Sequence, residues 1–190
     1  MPTCSWESEP SVVKSNKVVL GVTGSIAAYK AADIIRRLRE KGLCVSVVMT
    51  KEAEEFITPL TLSALCGEEV HREIFASGAF RMPHIVLAQQ ADVFLIAPAT
   101  AAIIGKLAHG IADNLLTCIA LATRAHILIA PAMNTEMYKN KIVQENCSKL
   151  KKQGAHFIDP IAGKLACGAV GEGHLAQVNA IVDAVVRAVK

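Results

Sequence analysis

Short, continuous runs of apolar residues recur along the chain, separated by longer amphipathic segments. We predict a β-strand at each of five runs: Lys17–Val22, Cys44–Met49, 93–97, 126–130 and, as the weakest, 155–158. The runs do not alternate between apolar and polar residues. Continuous apolar strands are typical of a parallel sheet that is buried on both faces.

The segments between the strands have helical periodicity. They are residues 26–41, 58–65, 85–90, 103–108, 114–123, 141–153 and 177–189. In the first, Ile26, Tyr29, Ile34 and Leu38 form the predicted apolar face, and Gly42 is the predicted C-terminal stop. Strands and helices alternate throughout. This pattern predicts an α/β fold with one doubly wound, mostly parallel sheet, a Rossmann- or flavodoxin-like three-layer sandwich.

Composition agrees with a single well-buried domain. Apolar residues make up 52% of the 190 residues and charged residues 19%. We predict a flexible polar tail over residues 1–16 and one domain over residues 17–190. The net charge is +3 without a Lys/Arg cluster, so nothing favours a nucleic-acid partner. No apolar stretch reaches membrane-spanning length, so no membrane partner is expected.

The chain contains six cysteines, but no CxxC spacing and no apolar leader at its start. We therefore expect free thiols rather than disulfides, no metal site, and a cytoplasmic location.

Ligands of doubly wound folds bind outside the carboxyl ends of the strands, so the residues after each strand are the first candidates. After the first strand, Gly24 allows close backbone approach and Ser25 can cap a helix whose N-terminus suits phosphate. The pattern is not GxGxxG, and no acidic residue stands about 20 positions later to hold a ribose. A mononucleotide phosphate and an ordinary capped turn explain this segment equally well.

The loops after the next three strands carry weaker signals. Thr50 and Lys51 place a hydroxyl and a cation at a helix start. Small residues over 97–102 leave room for a flat ring or a phosphate, and Thr100 is a natural N-cap. Asn134 follows the fourth strand, where its NH₂ group suits a carboxylate. Helix capping is the simpler alternative for these polar residues.

Two side chains have reactive chemistry. His84 stands just before an apolar helix, where a lone histidine is more often a surface or capping residue than a catalyst. Cys167 lies in a segment with three glycines within seven residues, 167–173, which predicts a mobile flap. A thiol on a flap is a candidate acid or redox group, whereas Cys118 lies inside a predicted helix.

Taken together, the sequence resembles the homo-oligomeric flavin-containing cysteine decarboxylases from residue 17 to about 189. The resemblance rests on GSIAA at 24–28, HI at 84–85, AD at 91–92, APAT at 97–100, GIADNLL at 110–116, PAMN at 131–134 with Met137, and LACG at 165–168. One such motif would be weak, but their order and spacing are specific. The best match is the branch that converts 4′-phosphopantothenoylcysteine to 4′-phosphopantetheine in coenzyme A synthesis.

The resemblance implies FMN as the cofactor, a small phosphorylated cysteine conjugate as the substrate, and a homotrimer or higher homo-oligomer. The implied FMN-binding residues are Gly24, Ser25, Ile26, Thr50, Lys51, Thr100, Ala101, Ala102, Ile103 and Ala132. The implied catalytic residues are His84 and Cys167. The implied substrate-binding residues are Asn134, Met137, Lys164 and Ala166.

The sequence departs from the family pattern in two places. Ala102 and Ile103 stand where the family has Asn and Thr, so two polar groups near the cofactor are missing. In the flap, Ala169 replaces an acidic residue, and His174 and Leu175 replace Arg and Met. We expect altered cofactor contacts and altered substrate handling at the flap.

The implied chemistry is oxidation before decarboxylation. A CH₂–SH group oxidised to a thioaldehyde lies beta to the carboxylate, so CO₂ can leave and give an enethiolate, which is then reduced. Cys167 would supply a proton in that last step, which favours this branch over peptidyl-cysteine decarboxylases that stop at the enethiol. A flavin prenyltransferase and a non-catalytic flavin-binding regulator are more remote alternatives.

Overall fold

The computed structural model describes residues 16–75, 82–164 and 170–189. Its main sheet contains β1 Lys17–Val22, β2 Cys44–Met49, β3 Val93–Ala99, β4 His126–Pro131 and β5 His156–Phe157. All these strands are parallel, in the order β2-β1-β3-β4-β5. An antiparallel hairpin is formed by β6 Ile161–Lys164 and β7 Val170–His174. The predicted fold class is confirmed.

The helices of the described residues are α1 Ala31–Glu40, α2 Pro59–Cys66, α3 Pro83–Gln90, α4 Ala101–Ala108, α5 Leu115–Ala122, α6 Thr135–Lys139, α7 Lys141–Lys152 and α8 Val178–Val189. Two 3-10 turns cover Ile26–Lys30 and Lys51–Ala53. None of the helices in this part of the chain is both long and apolar enough to cross a membrane. The cytoplasmic location stays a prediction.

Successive residues of the central strands point to opposite faces and fill two separate cores. Leu20 packs with α1, α2 and α8 on one face, while its neighbour Val19 packs with α3, α4, α5 and α7 on the other. Both side chains are completely buried. The two helix layers therefore enclose the sheet, as the continuous apolar runs predicted.

The segment predicted as one helix over 26–41 is divided into a 3-10 turn and α1. Ile34 and Leu38 are completely buried, as predicted, and Gly42 follows α1 with a φ of 78°. Ile26 and Tyr29, however, are 60% and 59% exposed, so their assignment to the buried face was wrong. A 3-10 turn has three residues per turn, and this shifts both side chains out of phase with the α-helix.

Four of the six cysteines and both strands of the C-terminal hairpin lie in the described part of the chain. Cys44, Cys66, Cys118 and Cys147 are free thiols, as expected, whereas Cys4 and Cys167 lie outside the described part of the chain. The glycine-rich flap was not predicted to contain strands, yet its two sides form β6 and β7. The predicted tail lies outside the described residues except for Asn16.

Candidate active site

A cavity of about 510 Å³ lies where β1, β2, β3 and β4 end at the carboxyl edge of the sheet. The chain passes from β1 outward to β2 and then returns to β3 on the other side of β1, which makes this the topological switch point. Nine of the ten predicted cofactor residues line the cavity: Gly24, Ser25, Ile26, Thr50, Thr100, Ala101, Ala102, Ile103 and Ala132. Lys51 is not part of the lining, and its side chain is exposed.

Hydrogen bonds of Thr23 join the loops after β1 and β3. Its Oγ1 donates to the carbonyl of Pro98 at 2.7 Å and accepts from the N–H of Thr100 at 3.2 Å. Thr100 is the N-cap of α4, as predicted, because its Oγ1 accepts from the N–H of Ile103 at 3.3 Å. The preceding N–H groups, at 101–102, have no acceptor within the helix. They are therefore available to an anionic or polar ligand in the cavity.

Gly24 lies tightly against the loop after β2. A Cβ atom at this position would be 2.5 Å from the Cβ of Glu52, so a larger residue would push the two loops apart. Next to it, Ser25 Oγ accepts from the N–H of Ala27 and donates to the carbonyl of Ala132, both at 3.3 Å. Ser25 thus caps the 3-10 turn and also ties it to the loop after β4.

The cavity wall includes polar groups from β2 and α4. Thr50 Oγ1 is buried and makes no hydrogen bond of normal geometry within the described residues. Glu52 accepts from its own backbone N–H, and this contact, with the nearby Thr50 hydroxyl, lowers the pKa of its carboxyl. Lys106 Nζ is 2.7 Å from Asp113 Oδ2. Apart from its interaction with Glu52, the Thr50 hydroxyl has no partner within the described residues, so it retains hydrogen-bonding capacity for a ligand in the cavity.

Asn134 lies in the cavity wall at the start of α6. Its Oδ1 accepts from the N–H of Glu136 at 2.8 Å, so the capping interpretation of this residue is correct. The cap leaves the amide NH₂ as the donating group of the side chain. Capping and ligand binding are therefore compatible here. Met137, one turn later, also lines the cavity and is 50% exposed.

The β6–β7 hairpin docks against the loop after β4. The N–H of Met133 donates to the carbonyl of Gly173 at 3.0 Å. Gly173 has a φ of 144°, and a Cβ there would lie 2.3 Å from the carbonyl oxygen of Met133. Only glycine fits this contact. It brings His174 and Leu175, the residues that follow, into the cavity wall.

His84 is the second residue of α3 and is not among the described residues that line the cavity. It is half-buried, and its Nδ1 has no hydrogen-bond partner within the described part of the chain. Cys167 and Ala166 lie outside the described residues, and so does the side chain of Lys164. The structure therefore brings Asn134 and Met137 together with the predicted cofactor residues, but does not bring His84 to them.

Several lining residues were not predicted from the sequence to belong to the site, among them Glu52, Lys106, Asn114 and Gly173, whereas His174 was noted only as a departure in the flap. Lys106 is one turn beyond Ala102 and Ile103, so helical spacing could have placed it on the same face. Glu52 directly follows Thr50 and Lys51, two of the predicted cofactor residues. Asn114 comes from the loop between α4 and α5, and no local pattern would have found it.

The model of one protein family, Flavoprotein, matches residues 7–190. The chain belongs to the flavoprotein family. This member is 46% identical over 172 residues to the probable phosphopantothenoylcysteine decarboxylase of Streptococcus mutans, covering 89% of this chain and 96% of that protein. It is also 48% identical over 162 residues to the coenzyme A biosynthesis bifunctional protein of Vibrio vulnificus, covering 85% of this chain. It spans only 40% of the length of that bifunctional relative.

Solved structures of other flavoproteins have the same fold. A mutant PPC decarboxylase, in complex with pantothenoylaminoethenethiol, superimposes with a TM-score of 0.81 at 32% identity, over 91% of this chain and 97% of that one. The FMN-dependent cysteine decarboxylase SpaF gives a TM-score of 0.80 at 31% identity, over 92% of this chain and 98% of that one. The resemblance stated from the sequence is thus confirmed at the level of the family and the fold.

Proposed function

We propose that this flavoprotein binds FMN and uses it to decarboxylate 4′-phosphopantothenoylcysteine to 4′-phosphopantetheine. The observation that carries the proposal is the cavity at the switch point, where loops from four strands place nine predicted cofactor residues beside Asn134. The names of the relatives support the same reaction. Cavities of a few hundred Å³ are typical of small-molecule and cofactor sites.

The residues present fit FMN. Ala101 and Ala102 leave space beside N–H groups that lack helical acceptors, and Gly24 lets the backbone approach a ligand closely. Thr50 offers a buried hydroxyl that makes no hydrogen bond of normal geometry within the described residues. Ile103 has no polar side chain and its N–H is bonded to Thr100, so it offers FMN apolar contact only. These are the groups that would hold the cofactor.

When bound, FMN would serve as a temporary acceptor of two electrons, which come from the CH₂–SH group and are returned after CO₂ has left. The chain's own residues bind and position the substrate and move protons. The NH₂ group of Asn134 holds the carboxylate, with Oδ1 fixed by the bond from Glu136. This orientation keeps the carboxylate in the geometry from which it leaves. Cys167 is the proposed donor of the proton that completes the reduced product.

In the proposed active site, His84 comes from a second copy of the chain. It does not line the cavity of its own chain as described, so a neighbouring subunit must bring it to the site if it is the catalytic histidine. Exposed apolar side chains support self-association: Ile26 at 60%, Tyr29 at 59% and Leu60 at 78%. Ile26 also lines the cavity. We therefore include a homotrimer or higher homo-oligomer in the proposal.

The experiment that tests the proposal compares two substrates on the purified protein. We expect CO₂ release from 4′-phosphopantothenoylcysteine, with 4′-phosphopantetheine as the product by mass spectrometry. A peptide with a C-terminal cysteine should release little or none. Turnover of the peptide to an enethiol, with the small conjugate unchanged, would identify a peptidyl-cysteine decarboxylase instead. Flavin binding without turnover of either substrate would favour a non-catalytic flavin-binding protein.

A further inference from the structure

His174 brings an ionisable side chain to the cavity wall from the C-terminal hairpin. Among the described lining residues, the other ionisable side chains are those of Glu52 and Lys106, which come from the loop after β2 and from α4. His174 ends β7 and is followed by Leu175, which is only 1% exposed. The buried leucine anchors the histidine at the base of the hairpin.

Two glycines fix the position of the His174 ring. Gly173 forms the close backbone contact with Met133, one residue before Asn134. Across the hairpin, a Cβ at Gly163 would lie 2.6 Å from His174 Cδ2 and 3.0 Å from its Nε2. The imidazole therefore lies directly over the Gly163 backbone, in space that only glycine leaves open. The hairpin backbone directly before His174 is thus held against the loop that carries Asn134.

A carboxylate has two oxygens and accepts more hydrogen bonds than one amide group can give. The cap to Glu136 uses Oδ1 of Asn134, so this side chain contributes donors from its NH₂ group alone. We propose that an imidazole N–H of His174 is a second donor to the carboxylate of the substrate, and that His174 is a substrate-binding residue. This inference rests on the proposed function, since it names a further contact in that same site.

The chemistry determines which kinetic constant His174 affects. The carboxylate carries its full charge in the bound substrate and loses that charge as CO₂ departs. A hydrogen bond to it is therefore stronger in the bound substrate than in the transition state. Removing such a bond raises KM and leaves kcat unchanged or slightly higher.

The test uses variants of the FMN-loaded oligomer. His174→Phe keeps a flat ring over Gly163 but removes both ring nitrogens and with them the N–H donor, while His174→Gln keeps an N–H donor. For His174→Phe we expect KM for 4′-phosphopantothenoylcysteine to rise about tenfold or more, with kcat kept, because hydrogen bonds to charged groups are among the strong ones. His174→Gln should stay within about threefold of the wild type. The control is Glu172→Gln, an exposed residue of the same strand outside the cavity lining, which should change neither constant.

Calorimetric titration in a His84→Asn background, in which FMN is kept and CO₂ release is expected to be lost, supplies a readout that does not depend on turnover. His174→Phe should weaken binding of 4′-phosphopantothenoylcysteine but not of 4′-phosphopantetheine, which lacks the carboxylate. Equal weakening of both ligands would indicate a general effect on the hairpin and overturn the inference. A normal KM, or a fall in kcat alone, would also overturn it. A wild-type protein that neither binds nor decarboxylates the cysteine conjugate would overturn the proposed function and this inference with it.

Discussion

Gly24→Ala is expected to yield protein that purifies with little flavin and releases little CO₂. The added Cβ would lie 2.5 Å from the Cβ of Glu52 and 3.1 Å from its carbonyl carbon and oxygen. The loops after β1 and β2 must then separate, and both form the cavity wall. Overpacking of this kind costs about 1–3 kcal/mol. If that strain is present when FMN is bound and relaxes when FMN leaves, the affinity for FMN falls roughly 5- to 150-fold. Fluorescence titration with FMN measures this loss.

Gly105→Ala is the matched control for Gly24→Ala. Gly105 lies inside α4, and a Cβ there would meet only Asn146 Nδ2, at an ordinary 3.8 Å. Alanine in a helix interior is favoured over glycine by about 0.5–1 kcal/mol, so this variant should keep its flavin and melt at a slightly higher temperature. If Gly24→Ala bound FMN as tightly as this control, the predicted close approach at Gly24 would be wrong.

His84→Asn is expected to keep its yellow colour while CO₂ release falls by about 10²- to 10⁴-fold, the usual contribution of general acid–base catalysis. The colour should remain because His84 is not among the residues proposed to hold FMN. His109→Asn is the control, since His109 is an exposed histidine at the C-terminal end of α4, outside the cavity lining. Rates of CO₂ release, normalised to bound flavin, measure the difference. Full activity of His84→Asn would remove this residue from the proposed reaction.

Mixed oligomers test whether His84 acts across a subunit boundary. Two inactive variants, His84→Asn and Asn134→Ala, are co-expressed with different affinity tags and purified as hybrids. If one copy supplies His84 and its neighbour supplies Asn134, each mixed trimer regains one of its three sites, about one third of the wild-type number. If both residues act within one chain, the hybrids stay inactive.

The architecture was predictable because the strands of a parallel sheet that is buried on both faces are continuous apolar runs. Every residue of Val93–Ala99 is buried, as expected for a strand that is covered on both faces. Capping residues were equally predictable, since Ser25 and Thr100 cap the helical segments that they precede. Ile26 and Tyr29 were misassigned because a 3-10 turn replaces the first turns of the predicted helix, and side-chain hydrophobicity does not distinguish the two.

The candidate site was predictable only in part, for physical reasons. Residues directly after strands, such as Ser25 and Ala132, meet because parallel strands end at one edge of the sheet. His174 reaches the cavity through the β6–β7 hairpin, whose docking depends on the contact of Gly173 with Met133. The pattern of apolar and polar residues does not predict such a contact. His84 does not line the described cavity. In the proposed function its place in the site depends on a second copy of the chain, which no pattern within one sequence can predict.

The visible absorption spectrum of the purified wild-type protein tests the central claim most directly. We expect the two absorption bands of an oxidised flavin. Denaturation should release FMN from the protein in a ratio of about one per chain. Protein that lost its cofactor during purification should regain the bands when FMN is added. A colourless protein that binds no added FMN would contradict the account, because the cavity after β1, β2, β3 and β4 would then have another ligand.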